Sequence, residues 1–137
     1  MTHRRQAIRT AVADLLRAAM PLGCIVARTR TRSTQANELP AVLVYTLRET
    51  SEPATIGPKL DRSASLLIEI RVADSNDLDD RIDDLCEKVE VAMAVDPTFG
   101  RLAINSYLAA TNIGLDGESE SRQGIAVLDY SVNYRTP

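Results

Sequence analysis

Four carboxylates crowd one short stretch of the chain. Asp79, Asp80, Asp83 and Asp84 stand one, three and four residues apart, a spacing that on a helix makes them surface neighbours. Oxygen ligands grouped in this way suit a hard cation such as Mg²⁺. The same spacing sets like charges against one another by roughly 0.2–0.5 kcal/mol per pair, and a plainly solvated face accounts for them as well. A third account is a neighbouring subunit that presents arginines to them. Arg28, Arg30 and Arg32, alternating along one strand edge, are the natural counterpart, because guanidinium forks pair bidentately with carboxylates. An ordinary charged edge that discourages aggregation explains the same arginines.

Other chemistry is sparse. The only histidine, His3, stands at a terminus expected to fray, which leaves a Ser-His-Asp or Cys-His arrangement without a supported base. Cys24 and Cys86 are too few for a disulfide framework and are not at metal-ligand spacing, so both read as small core hydrophobes in a reducing compartment. No glycine-rich phosphate loop, nucleotide fingerprint, HExxH or paired CxxC is present. No catalytic residue and no cofactor is assigned; a divalent cation enters only as an aid to assembly.

Charge narrows the partners. The net charge is −3, which argues against general or sequence-specific affinity for nucleic acid, since such affinity comes from basic residues that neutralise phosphates. The charge is unevenly spread: residues 1–32 hold seven arginines against Asp14 alone, and residues 74–96 hold nine acids against Arg81 and Lys88. No apolar run approaches the roughly 20 residues of a bilayer span, and no secretory signal is expected behind the charged start. The 137 residues, 45% of them apolar, suit one domain over 1–137.

The elements that must position these groups follow from periodicity. Ile8, Val12, Leu15, Leu16 and Ala19 recur at helical spacing, with Arg5, Arg9, Asp14 and Arg17 largely elsewhere; Thr2 is the expected N-cap, and Pro21 with Gly23 ends the helix. Cys24 to Arg28 reads as a first strand. LPAVLVYTL, opened by Pro40, reads as a central strand apolar on both faces. Two prolines and a glycine in residues 49–61 predict a long, mobile loop. Leu66, Ile68, Ile70 and Val72 then alternate with wetter positions as a strand. Leu78, Ile82, Leu85, Val89 and Met93 mark a second helix over Asp77 to Val95, its acids complementing the dipole at its start. Two more strands, roughly Ile104 to Leu115 and Ile125 to Arg135, flank the turn-rich DGESESRQG, the second with Leu128, Tyr130, Val132 and Tyr134 on one face. The order α-β-β-β-α-β-β predicts an α+β fold. Its sheet of about five strands is largely antiparallel or mixed, with both helices on one face.

In this order and spacing, LPAVLVYTLRET at Leu39 to Thr50, LLIEIRV ending at Val72, the acidic helix after it and the closing LDYSVNY at Leu128 to Tyr134 resemble the tail terminators of long-tailed phages, the minor tail protein U family. Residues 51–61 and 116–124 have no clear counterpart in that pattern.

The resemblance implies a structural phage or prophage protein rather than an enzyme. Its subunits would form a ring, generally hexameric, that caps the completed tail tube, stops its polymerisation and offers the other side to the head connector. The implied partners are other copies of itself, the tail tube protein and a head-tail connector protein. DNA passes through the channel, and no membrane is involved. The protein would assemble in the host cytoplasm and reside at the head-proximal end of the tail. The expected partner-contacting loops hold Glu52, Pro53, Ile56, Lys59, Glu118, Glu120 and Arg122. Rival readings are a head-tail joining or tail-completion protein, an accessory binding module of a bacterial complex, and a small metal-assisted enzyme built on Asp79, Asp80, Asp83 or Asp84.

Overall fold

Two helices lie on one face of a five-stranded sheet, in the order expected from the sequence. The computed structural model describes residues 3–29, 39–55, 57–73, 75–116 and 122–136. Its elements are α1 (Arg4–Ala19), β1 (Ile25–Ala27), β2 (Ala41–Pro53), β3 (Leu60–Ala73), α2 (Leu78–Val95), β4 (Asn105–Asp116) and β5 (Gln123–Thr136). The strands lie in the order β1-β2-β3-β5-β4, with β1 parallel to β2 and the remaining pairs antiparallel, so the sheet is mixed. No helix among the described residues is long and apolar enough to cross a membrane.

α1 buries Ile8, Val12, Ala13 and Leu16, while Ala19 is exposed. Its cap is His3 rather than Thr2, which lies outside the described residues: the His3 ring accepts a hydrogen bond at Nδ1 from the Arg5 amide at 3.0 Å. An imidazole nitrogen does here what a hydroxyl oxygen does at other helix starts, satisfying one of the free amides of the first turn. α2 turns Ile82, Leu85, Cys86, Val89, Ala92 and Met93 inward, as the period of its apolar residues requires.

Period two is just as consistent on the strands beneath. Val42 and Val44 of β2, Leu66, Ile68, Ile70 and Val72 of β3, and Ala126, Leu128, Tyr130, Val132 and Tyr134 of β5 join the helices in one core. Ala41 and Leu43 face the other way and are also fully buried, so the first half of β2 is apolar on both faces, as its composition indicated.

Residues 49–61 are not the long loop expected. β2 continues to Pro53 and β3 begins at Leu60, so Glu52 pairs with Asp61 and Pro53 with Leu60, and only a short turn separates them, closed by Ala54 N–H to Lys59 O at 3.1 Å. Pro53 is tolerated because it stands at the last pair of the ladder, and the polar composition of this segment reflects an exposed hairpin rather than missing structure.

One glycine sets how closely helix and sheet approach. A β-carbon at Gly124 of β5 would stand 2.7 Å from Leu78 Cδ1 and 2.8 Å from Ile82 Cδ1. Gly124→Ala therefore obliges both side chains to shift, and we expect a loss of about 1 kcal/mol in urea unfolding, with Gly124→Val losing about 2–3 kcal/mol by the same overpacking. Equal midpoints for all three proteins would show that the first turn of α2 yields freely.

Candidate functional site

The acidic row stands on the outside of α2. Asp79, Asp80, Asp83 and Asp84 are all exposed, and none forms an ion pair with another described residue. The described residues include no group of three His, Cys, Asp or Glu side chains arranged to hold a metal. At one end of the row, Leu78, Asp79, Asp80 and Ile82 meet Ile113, Gly114 and Leu115 of β4 across an open cleft of ≈ 550 Å³.

Arg28 lies at the opposite edge of the sheet, just past β1. That strand ends at Ala27, one residue short of the expected Arg28, so Arg28 is not a rung of an alternating strand. It is exposed and donates from Nη1 to Thr10 Oγ1 at 2.7 Å, a neutral partner. Arg30 and Arg32 lie outside the described residues. Much of the remaining basic charge near the N-terminus is engaged within the chain. Arg4 donates to Leu102 O at 3.1 Å, Arg5 pairs with Glu49 at 2.7 Å, Arg9 donates to Thr46 Oγ1 at 3.1 Å, and Arg17 pairs with Asp14 at 2.8 Å.

Of the expected partner-contacting residues, Glu52 and Pro53 are exposed on β2, Lys59 is exposed in the hairpin turn, and Arg122 is exposed immediately before β5. They sit on an ordered hairpin and a strand end rather than on a long loop. Ile56, Glu118 and Glu120 lie outside the described residues.

The best-connected charged group escaped sequence reasoning. The Glu49 side chain is only 10% exposed; its Oε2 receives Arg5 Nη1 at 2.7 Å and Arg62 Nη1 at 2.9 Å, and its Oε1 accepts the Tyr134 hydroxyl. Arg62 also donates from Nε to Thr136 Oγ1 at 2.7 Å. One carboxylate thus ties the start of α1 to β2, β3 and β5. A register shift between Thr46 and Arg48 puts it there: beyond the bulge the odd-numbered residues of β2 share the helix-side face that Val42 and Val44 occupy before it. Burial pushes the Glu49 carboxyl up, but the hydrogen bonds from Tyr134 and Arg62 and the charges of Arg5 and Arg62 outweigh it and hold the group below its usual range. Tyr134 is pushed up to about 12, by burial first and then by its bond to Glu49. On the other face of the sheet, Glu69 accepts from Tyr45 at 2.9 Å and pairs with Arg71 at 2.6 Å.

These clusters brace strands and present no nucleophile with a base. His3 is committed to its cap, with burial and the charges of Arg5 and Arg62 holding its pKa down. Cys86 is buried and its thiol is pushed up to about 11, chiefly by desolvation; Cys24 is half-buried and also raised by desolvation. Neither thiol has the electropositive surroundings that activate a cysteine.

No curated protein matches the chain in sequence. Among solved structures, a chain of the virion of a native gene transfer agent particle is similar over 89% of this chain and 83% of its own length, at 10% identity and a TM-score of 0.38, too loose a likeness to carry an argument. The model of the phage minor tail protein U family matches residues 3–134. With nearly its whole length matched, from the capped start of α1 to Tyr134 in β5, the chain belongs to the phage minor tail protein U family and has a structural role in a phage tail.

Proposed function

We propose that this protein is a tail terminator. As one domain over residues 1–137, its copies close into a ring, a hexamer, that caps the completed tail tube, stops its growth and offers its far side to the head connector. The observation that carries this reading is the match to a tail-protein family over residues 3–134. Two geometric features support it. The exposed acids of α2 and the exposed Arg28 belong to different elements, Arg28 following the β1 edge strand, and unlike patches on identical subunits join head to tail and close when the rotation permits. In the assembled ring Arg28, Arg30 and Arg32 of one copy face Asp79, Asp80, Asp83 and Asp84 of the next.

The β2–β3 hairpin, with Glu52, Pro53 and Lys59 exposed around its turn, offers a polar surface to the tube or the connector; Arg122 stands at the opposite end of the sheet, and Ile56, Glu118 and Glu120 complete the set of partner-contacting residues in this reading. Specificity on one side only is what stops a polymer: that side matches tube protein, and the other does not accept it. No reaction is catalysed, and no cofactor is required. A net charge of −3 leaves the ring a conduit for DNA rather than a grip on it. Assembly takes place in the host cytoplasm, and the ring remains at the head-proximal end of the tail.

Light scattering and negative-stain imaging of the purified chain across a concentration series, with and without Mg²⁺, test ring closure. We expect annuli with a mass several-fold above the 15.0 kDa chain, more abundant at higher concentration. A chain that stays monomeric throughout, including in the presence of tube ends, would contradict the proposal.

A further inference from the structure

The two edges of the sheet are very unequal. β1 is three residues long, whereas β4 is twelve, and the outer side of β4 has no partner strand among the described residues. A long strand left open is a template for another chain. α2 packs chiefly on β3 and β5 and leaves much of β4 exposed, although Leu108 reaches the core. Ile113 is paired with Ala126 and Leu115 with Gly124, both on the helix-side face, so these two side chains point toward the flank of α2; they remain 55% and 59% exposed. The cleft of ≈ 550 Å³ described above is bounded by them, and a second of ≈ 180 Å³ continues the same flank between Glu90 with Met93 of α2 and Tyr107 with Leu108 of β4. An apolar flank along an open strand is a liability in a free chain unless something covers it.

Charge indicates the occupant. The α2 side of this flank carries Asp79, Asp83 and Glu90, exposed and in no ion pair with a described residue, so it fits a surface that combines apolar area with guanidinium groups. The chain carries such a surface itself, at its other edge. Leu22, in the turn before β1, is fully exposed, and Arg28, just after β1, is exposed and has the Thr10 hydroxyl as its one hydrogen-bond partner among the described residues. We propose that the α2–β4 flank of one copy seats the β1 edge of the next, covering Ile113 and Leu115 and setting Arg28 against Asp79 and Asp83. Each copy gives one edge and receives the other, the head-to-tail contact from which rings are built. The inference rests on the ring reading and deepens it by naming the two surfaces that meet.

Two charge variants of the full chain test it. Arg28→Glu makes both surfaces acidic, and Asp79→Arg with Asp83→Arg makes both basic, so each variant alone should self-associate about tenfold or more weakly than wild type in analytical ultracentrifugation. Mixed in equal amounts they are complementary at both contacts, and particles of wild-type size should return. Ile113→Ser with Leu115→Ser, which leaves charge unchanged, should weaken association by about tenfold as well. All five substitutions in these three variants are at exposed positions, and circular dichroism melts matching wild type confirm that the fold is kept. Variants that assemble like wild type, or a mixture that fails to recover, overturn the seat and with it the pairing of Arg28 with Asp79 and Asp83, and leave standing a ring closed through other surfaces. A wild-type chain that never self-associates overturns the ring reading and the seat with it.

Discussion

Glu49→Ala should be among the most destabilising single changes at a polar site in this protein, lowering unfolding stability by about 3 kcal/mol. The substitution takes the carboxylate from Arg62, whose side chain is 18% exposed and which keeps Thr136 Oγ1, and leaves the buried Tyr134 hydroxyl without its Glu49 acceptor. Arg5 is 35% exposed and rehydrates, which places the loss toward the lower end of what breaking a buried pair costs. Glu49→Gln keeps an acceptor for Tyr134 and removes only the charge, so about 2 kcal/mol is expected. The pair also gives a pH signature. A carboxyl held below its ordinary value of 4.5 contributes stability that is complete above that value and is lost as pH falls through the lower, folded value. The stability gap between wild type and Glu49→Gln should therefore be constant near neutrality and shrink in acid below 4.5. Urea melts across that range read it directly, and a gap that widened in acid would mean that the carboxyl is raised in the folded protein.

Ile68→Ala should cost about 3–4 kcal/mol. Ile68 is fully buried on β3, opposite Val44 of β2 and Leu128 of β5, at the middle of the sheet beneath the helices. Removing three carbons there leaves a cavity that flanking strands, held by ladders on both sides, cannot close. A denaturant midpoint lowered with an unchanged slope is the expected reading, whereas a loss below about 1 kcal/mol would mean that the helices settle into the space.

Apolar periodicity made most of the fold legible. It placed both helices, the one-faced pattern of β5 and the doubly apolar start of β2, because burial on the two faces of an element leaves a repeat in the residues themselves. The second half of β2 left no such repeat: Glu49 to Pro53 are polar because the hairpin is exposed, and their pairing is enforced by the partner strand. The bulge between Thr46 and Arg48 has no marker in residue type, so the turn of Glu49 onto the helix-side face, and with it the Arg5–Glu49–Arg62–Tyr134 cluster, was invisible. Counting charges by segment showed that the chain is lopsided. It could not show that Arg4, Arg5, Arg9 and Arg17 are engaged within the fold, while Arg28 stands exposed beside the Thr10 hydroxyl. The acids on α2 were read correctly as a row, since α-helical spacing fixes neighbours; their exposure depended on which face the core claimed. The open edge at β4 depended on strand order, which follows from contacts between residues far apart in sequence.

The length of tail tubes grown in the presence of this protein tests the central claim most directly. Tube subunits polymerising alone give a broad, growing distribution, and adding the chain should halt elongation, with an annulus at one end of each tube visible by negative stain. Tubes that grow past the added protein at an unchanged rate, with no density at their ends, would contradict a terminator.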